Sequence, residues 1–169
     1  ENVFVTEANL IVDEGEGFRH IESCLPQILL CLSAEALGIM EVLNRLTVEY
    51  SKTRKQFGAP IGSFQALQHR MVDNFMAFEQ SKSMVYRGIC ESTSFNKNDI
   101  DINQFLKTAH AVKALIAKNS KQIGDESIQI HGGIGMTDEL NIGHFVKRLM
   151  MINVLFGDGD FHRQCFSQN

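Results

Sequence analysis

Three short glycine-rich segments hold most of the side chains in this 169-residue chain that could do chemistry. We call residues 54–58 (RKQFG) corner one, residues 129–135 (QIHGGIG) corner two and residues 156–160 (FGDGD) corner three. Glycine lets a backbone approach a ligand closely, an arginine fork grips a phosphate, and a phenylalanine ring packs on a flat ligand. A helix end beside such a turn offers N–H groups to an anion. Together these parts suit a nucleotide or a pyrophosphate.

Each corner also has a plainer interpretation. A single glycine-rich turn is usually a helix cap, and an arginine near a loop is usually solvated. Corner two is not a P-loop, because no Gly-Lys-Ser/Thr follows it, and it is not a Rossmann fingerprint, because no strand precedes it. Spacing alone therefore indicates a helical bundle with a candidate anion site.

Four amphipathic segments must position the corners. Helical apolar spacing predicts helices over residues 18–52, 64–89 and 101–130, and a fourth helix after corner two, with a short tail beyond corner three. Long helices with short connections predict an all-α fold, an antiparallel four-helix bundle. Residues 1–14 alternate polar and apolar side chains and resemble the end of a strand and a connector.

The same pattern gives caps and a core. Ser63 and Thr137 are predicted to cap the second and fourth helices, with Asp138 and Glu139 in the first turn of the fourth. Asp101 with Gln104 resembles a capping box. The apolar residues assigned to the core of the last three helices include Phe64, Leu67, Met71, Phe75, Phe78, Val85, Ile89, Phe105, Ala109, Val112, Ile116, Ile123, Met150 and Met151.

Composition argues against several classes of protein. The net charge is −4 and the basic residues are scattered, which disfavours a nucleic-acid partner. No apolar run approaches about 18 residues without a polar interruption, so no membrane span is expected. The cysteines, which lack CxxC spacing, are expected to be reduced thiols of a cytoplasmic protein rather than disulfides or zinc ligands.

Corners one and two together resemble the C-terminal helical domain of the acyl-CoA dehydrogenase family. The family pattern is a tyrosine, then Arg-x-x-Phe-Gly, then a glutamine, and later Gln-x-x-Gly-Gly-x-Gly. The residues that match this pattern are Tyr50, Arg54, Phe57, Gly58, Gln65, Gln129, Gly132, Gly133 and Gly135. Motifs and helical pattern together cover about residues 15–160.

The resemblance implies a FAD-dependent enzyme that removes a proton and a hydride from an acyl-CoA thioester and forms a 2-enoyl-CoA. Carried over, Arg54 would hold the FAD pyrophosphate, and Gln56 and Phe57 would flank it. The adenine end would be contacted by Gln65, Gln129 and Gly133. The full set of implied cofactor-binding residues is Arg54, Gln56, Phe57, Gln65, Gln129, Gly132, Gly133, Asp158 and Asp160.

The resemblance also implies an assembly and a longer chain. Family members carry an N-terminal helical domain and a middle β-domain before this bundle, and corners one and two reach the FAD of a neighbouring subunit. A homodimer or homotetramer is implied, or a heteromer with a homologous subunit. The chain starts with Glu1, and residues 1–16 resemble a connector from the β-domain, with residues 17–169 as the bundle domain. This fragment alone is expected to be inactive.

The match departs from the family at the catalytic base. The base is normally a glutamate, which suits proton abstraction in a dry pocket. In many members it lies just before a glycine in corner three, and Phe156 takes that place here. In other members it lies on the first long helix, where Ile28 aligns.

Two interpretations of corner three follow. Asp158 could serve as a shorter substitute base. Alternatively, the subunit is catalytically silent and forms the structural half of a heteromer. The stretch LFGDGDFH resembles a version found in bacterial small subunits of pimeloyl-CoA-type dehydrogenases, which favours the second interpretation.

The remaining polar residues have plainer interpretations. Glu35 and Glu41 are expected to be helix charges or salt-bridge partners, and His131 is expected to be a packed or capping residue. No metal site is expected, because the other histidines show no pairing that suggests one. His162 is not expected to approach the flavin. The histidines without a metal-like pairing are His69, His110 and His144.

Overall fold

A computed structural model describes residues 2–97 and 99–168 as a bundle of long helices. The helices are α1 (Gly17–Thr53), α2 (Gln65–Asn96), α3 (Ile102–His131), α4 (Ile142–Val154) and α5 (Gly159–Gln168). A two-stranded hairpin, β1 (Lys55–Gln56) and β2 (Ala59–Pro60), follows α1. Short 3-10 turns cover Glu7–Asn9, Ile61–Ser63 and Gly132–Met136. The predicted all-α bundle is confirmed, and α5 lies where the sequence pattern indicated only a tail.

The core is centred on α3, which packs against each of the other four helices. The predicted inward stripe of α3 is confirmed, because all five of its apolar members are buried. Each buried valine, isoleucine or phenylalanine side chain of the stripe contributes about 1.5–3 kcal/mol relative to an exposed one. The fully buried apolar residues that meet this stripe from other helices include Met40, Leu43, Val85 and Ile152.

The predicted face of α2 is only partly right. Phe78 and Val85 are buried, but Phe64, Phe75 and Ile89 are exposed. The face that packs on the bundle carries small and polar residues instead, which let the helices approach closely. The buried residues of α2 are Asn74, Ala77, Phe78, Ser81, Val85 and Gly88.

A polar contact holds this close approach. The side-chain amide of Asn119 on α3 donates to the carbonyl oxygen of Ala77 at 2.9 Å and to the hydroxyl of Ser81 at 3.0 Å. Because a buried amide must find partners, this pair of bonds fixes which face of α2 turns inward. The large apolar side chains of α2 are left on the outer face. Met150 and Met151 of α4, which were also assigned to the core, are exposed.

One of the three predicted helix starts is confirmed. The carboxylate of Asp101 caps α3 by accepting a hydrogen bond from the backbone N–H of Gln104 at 2.8 Å. The prediction for Ser63 is wrong, because α2 begins one residue later and Phe64 occupies the cap position. The Ser63 hydroxyl donates to the carbonyl of Pro60 inside a 3-10 turn instead.

The predicted start of α4 is also wrong. Thr137 ends the 3-10 turn of corner two, and its hydroxyl donates to the carbonyl of Ile134 at 2.9 Å. The helix begins at Ile142, so Asp138 and Glu139 lie in the connection rather than in a first helical turn.

The N-terminal segment contains no strand among residues 2–16. Its backbone makes one 3-10 turn, and nearly all of its side chains are exposed. A strand needs a neighbouring strand for its backbone hydrogen bonds, and the described residues offer none here. The assignment of residues 1–16 to a connector stays a prediction.

α1 is the one described helix long and apolar enough to cross a membrane by length and composition alone. That property is weak evidence for a span, because a long core helix has it too. α1 packs against α2, α3 and α4, and its buried face supplies Met40 and Leu43 to the core.

Replacing Asn119 with alanine is expected to lower the free energy of unfolding by about 1–3 kcal/mol, because the contact with α2 loses a buried amide and its hydrogen bonds. Urea unfolding measures this change. Asn103→Ala, at an exposed position of the same helix, is the matched control and should change stability by no more than about 0.5 kcal/mol. Equal effects of the two substitutions would contradict the prediction.

Candidate functional site

Corner one is a two-residue hairpin turn that holds an aromatic side chain in solvent. Phe57 has φ 55° and Gly58 has φ 82°, so both central residues are left-handed, as a type I′ turn requires. Glycine adopts this geometry easily, but phenylalanine rarely does. The Phe57 side chain is 93% exposed and contacts Phe64 edge to face at a centroid distance of 6.2 Å. Strained backbone of this kind clusters at ligand sites.

The polar side chains of corner one are available to a ligand. Arg54 is the C-terminal cap residue of α1, and Gln56 lies on β1. Gln65, the first residue of α2, is also exposed. Within the described residues, none of these three side chains makes a hydrogen bond or an ion pair, so their donors point to solvent.

Corner two presents open backbone at the end of α3. Gly132 caps this end with φ 65°, a conformation that favours glycine. A Cβ atom added at Gly132 or Gly133 would meet nothing within 4 Å, so a ligand can approach the peptide groups directly. Gln129, in the last turn of α3, is exposed beside them.

Corners one and two are joined by a stacked pair of rings. The Tyr50 ring, one turn before Arg54, stacks on the His131 ring at a centroid distance of 4.4 Å. The Tyr50 hydroxyl donates to the His131 carbonyl at 3.4 Å, and His131 Nδ1 bonds the Ser127 carbonyl at 2.8 Å. His131 is buried, in agreement with the prediction of a packed residue. The pair therefore fixes the end of α1 against the end of α3.

Corner three is a second turn with an aromatic residue in left-handed backbone. Phe156 has φ 59° and is about half exposed, and Gly157 has φ 111°. A Cβ atom at Gly157 would lie 2.4 Å from the Phe161 ring, so only glycine fits there. Asp158 accepts a hydrogen bond from the Phe161 N–H at 2.8 Å at the start of α5.

The second acid of corner three has a different partner. Asp160 pairs with Arg163 at 2.7 Å on the surface of α5. Asp158 and Asp160 are both exposed.

A buried polar cluster that the sequence pattern did not predict supports corner three. Lys113 of α3 is fully buried and donates to the carbonyls of Ile152 at 2.8 Å and Gly157 at 3.3 Å. The Nδ1 atoms of His110 and His162 lie 2.8 Å apart. The sequence offered one indication of these buried groups, because His110 and Lys113 each directly follow a buried apolar position of α3.

Burial lowers the pKa of all three buried groups. The pKa of Lys113 falls to about 8, mainly through burial, and the Asp158 carboxylate raises it slightly. The pKa of His162 falls to about 4 through burial first, then through His110 and Lys113. Burial also lowers the pKa of His110. No cluster of three or more metal-ligating side chains occurs among the residues that the structure describes.

The three corners form two separate sites. Gln129 in corner two lies sixteen positions after Lys113, which contacts corner three, along α3. At 1.5 Å per residue this is about 24 Å along the helix axis. Corners one and two therefore share one site, and corner three forms another.

Neither alternative position for a catalytic base holds a carboxylate. Ile28 is partly buried in α1, and Phe156 is the aromatic residue of corner three. Glu35 forms a bidentate ion pair with Arg148 of α4, at 2.6 and 2.9 Å, and the hydrogen bond to Arg148 lowers the pKa of Glu35. This contact agrees with the salt-bridge interpretation of Glu35. Glu41 is an exposed residue of α1.

The donor set of corners one and two fits a dinucleotide. A guanidinium can grip a pyrophosphate with two hydrogen bonds, an exposed aromatic ring can pack on a flat ring system, and glutamine amides match base edges. A Cβ atom at Gly132 or Gly133 would meet no atom within 4 Å, so the peptide groups there are open on that side. The class defined by the fold is therefore a helical bundle domain, with a candidate dinucleotide site at one end.

Comparison with known proteins agrees with that class. The family model for the acyl-CoA dehydrogenase C-terminal domain matches residues 15–169. The mitochondrial 2-methylacyl-CoA dehydrogenase of Solanum tuberosum is 30% identical over 163 residues, which are 96% of this chain and 38% of that protein. The chain belongs to the acyl-CoA dehydrogenase family.

Solved structures show the same fold. An acyl-CoA dehydrogenase from Geobacillus kaustophilus aligns with a TM-score of 0.87 at 25% identity, over 97% of this chain and 41% of that one. PigA with FAD and proline aligns with a TM-score of 0.86 at 27% identity, over 99% of this chain and 42% of that one. The chain thus spans about two fifths of the length of the relatives that it matches.

The buried histidines predict an acid-sensitive fold. Because the pKa of His162 falls from 6.5 in the unfolded chain to about 4 in the folded one, the unfolded chain binds more protons between these values. The folded state therefore keeps its full stability above about pH 6.5, and the free energy of unfolding falls as the pH drops towards 4. The lowered pKa of His110 contributes in the same direction.

Urea unfolding at several pH values across this range measures the effect. His162→Gln should flatten the dependence of unfolding free energy on pH, whereas His69→Gln, at an exposed position of α2, should leave it as it is. An unchanged slope in His162→Gln would contradict the prediction.

Proposed function

We propose that the complete protein to which this chain belongs is a FAD-dependent acyl-CoA dehydrogenase that converts an acyl-CoA thioester to a 2-enoyl-CoA. The observation that carries the proposal is the Tyr50–His131 stack, which joins an exposed arginine and aromatic ring to an open glycine pair. The names of the relatives support it, since one is an acyl-CoA dehydrogenase and the PigA structure contains FAD.

The residues of corners one and two bind the two halves of the cofactor. Arg54 grips the pyrophosphate with its guanidinium, while Gln56 and Phe57 flank it. The adenine end meets a set of glutamines and open peptide groups. This set is Gln65, Gln129, Gly132 and Gly133.

The cofactor bound by corners one and two belongs to a neighbouring subunit. About 24 Å separates corner two from the part of α3 that lies under corner three. This distance supports the arrangement, because sites that far apart can each contact a different cofactor. A homodimer or a homotetramer satisfies it, and so does a heteromer with a homologous subunit.

Bound FAD supplies an acceptor for the hydride that leaves the thioester. The protein must supply a base for the proton. Asp158 is the carboxylate nearest to the place of the family's glutamate, and it is exposed at the start of α5. In this proposal Asp158 accepts the proton from the carbon next to the thioester carbonyl. Asp160, which is paired with Arg163, faces the cofactor and does not accept the proton.

A catalytically silent subunit is the second candidate function. Two observations favour it. Phe156 occupies the place of the usual glutamate, and the N-cap hydrogen bond from Phe161 accounts for an aspartate at position 158 without any catalytic role. Such a subunit would bind FAD or a partner subunit and leave proton abstraction to the homologous chain.

Anaerobic titration of the complete protein with a panel of acyl-CoA thioesters separates these candidates. If Asp158 is the base, the flavin spectrum bleaches in the wild type and in Asp160→Asn. The rate in Asp158→Asn then falls by about a hundredfold or more. Equal bleaching in Asp158→Asn contradicts the role of Asp158. A protein that holds flavin but does not bleach with any thioester supports the silent subunit, and a protein that binds no flavin contradicts the proposed cofactor.

Replacing Arg54 with methionine is expected to weaken FAD binding by about tenfold to a hundredfold, because a charge-assisted hydrogen bond to the pyrophosphate is lost. Reconstitution of the apoprotein with FAD, followed by fluorescence, measures this affinity. Lys55→Met makes the same change of charge at the next exposed residue and should leave the affinity near that of the wild type. Equal affinities of the two variants would contradict the role of Arg54.

A further inference from the structure

Lys113 is a fully buried charged residue in the middle of α3, and it lies directly beneath corner three. Its ammonium group donates hydrogen bonds to two backbone carbonyls, Ile152 in the last turn of α4 and Gly157 in the turn that precedes α5. Within the described residues it forms no salt bridge. One side chain of α3 thus connects the end of one helix to the start of the next.

Burial of this lysine requires an explanation, because burying an ammonium group is unfavourable and lysine is rarely found in a protein interior. Its lowered pKa, about 8, reflects that penalty. An apolar residue would fill the same space without it. A buried group with a strongly shifted pKa beside a turn is a candidate for a functional residue.

The two bonds of Lys113 satisfy groups that would otherwise be left without a partner. The last carbonyl groups of a helix accept no hydrogen bond from an N–H of the same helix, and the Ile152 carbonyl is in the last turn of α4. The Gly157 carbonyl lies next to Phe156, which has left-handed backbone. Backbone in this conformation persists only where its surroundings hold it.

The histidine pair closes the other side of the turn. His162 of α5 is fully buried, and its Nε2 atom is turned towards the backbone of Gly157. That atom lies 3.2 Å from where a Cβ atom at Gly157 would be, and the opposite ring nitrogen bonds His110 of α3. Gly157 is therefore held between Lys113 and His162.

We propose that Lys113 is a positioning residue for corner three, whose ammonium group anchors the Gly157 carbonyl and thereby sets the places of Phe156 and Asp158 at the flavin. The inference rests on the proposed function for its effect on the reaction. The anchoring itself is a property of this chain and can be measured without any turnover.

The test compares two lysine-to-methionine variants of the complete, flavin-loaded protein. Lys113→Met removes the anchor but keeps an unbranched side chain that is only one heavy atom shorter. Lys118→Met makes the same change of charge at an exposed position of the same helix. Hydrogen–deuterium exchange over residues 155–162 reports how firmly corner three is held, and stopped-flow reduction of the flavin by an acyl-CoA thioester reports the reaction.

Lys113→Met is expected to raise exchange in this segment and to slow flavin reduction by about tenfold to a hundredfold, the effect of a small misplacement of reacting groups. Lys118→Met is expected to match the wild type in both. Equal exchange in the two variants would overturn the proposal, and so would equal rates of flavin reduction. If no thioester reduces the wild-type flavin, the proposed function fails, while the exchange comparison still decides the role of Lys113.

A pH profile separates positioning by charge from simple packing. The titratable groups that face Lys113 are Asp158 of the turn and His162 of α5, and His162 in turn contacts His110 of α3. The wild-type rate should fall as the pH rises through about 8, where the ammonium group loses its proton. Lys113→Met should lack this fall. If that variant does not fold, the wild-type profile carries the test, and a profile without a break near pH 8 would overturn the proposal.

Discussion

Burial of α3 against the other four helices is the constraint on which every candidate functional feature depends. Phe105, Ile116 and Ile123 are fully buried along this helix, so rotating or sliding it would expose large apolar side chains. Because α3 is fixed, its C-terminal end places corner two, and its middle places the ammonium group of Lys113 under corner three. Ordinary apolar packing thus sets a distance of about 24 Å between two polar sites.

Both sites present a phenylalanine in left-handed backbone, immediately before a glycine. Left-handed backbone is uncommon for a residue with a side chain, and each such residue must be held by its surroundings. At Phe57 the surrounding hairpin supplies this support, together with a 2.8 Å bond from the N–H of Ile61 to the carbonyl of Arg54. At Phe156 the support comes from Lys113, which lies far away in the sequence. The two turns look alike locally, but one is held by its own neighbours and the other by the core.

This difference explains which features of the structure could be predicted from the sequence. The stripe of α3, the cap at Asp101 and the turns at corners one and two depend on residues close together in the chain, and their spacing was sufficient to predict them. The inward face of α2 was assigned wrongly at Phe75, because spacing favours the largest apolar stripe, whereas Asn119 selects the face with small residues. Ser63 failed as a cap because the 3-10 turn before α2 uses its hydroxyl, and no local pattern announces such a turn. The contact between Lys113 and Gly157 joins residues of different helices, and one sequence alone gives no pairing between them.

The wrongly assigned residues also carry information about the assembly. Phe75 of α2 and Met150 of α4 are large and apolar, and both are exposed on the outside of the bundle. In an isolated domain such residues would be a liability, since contiguous exposed apolar surface mediates association. The chain spans about two fifths of the length of its relatives. The bundle therefore has polar groups buried where corner three is supported and apolar groups exposed on its outer faces. In the proposed assembly a neighbouring subunit would contact this domain, and exposed apolar side chains are expected at such a contact.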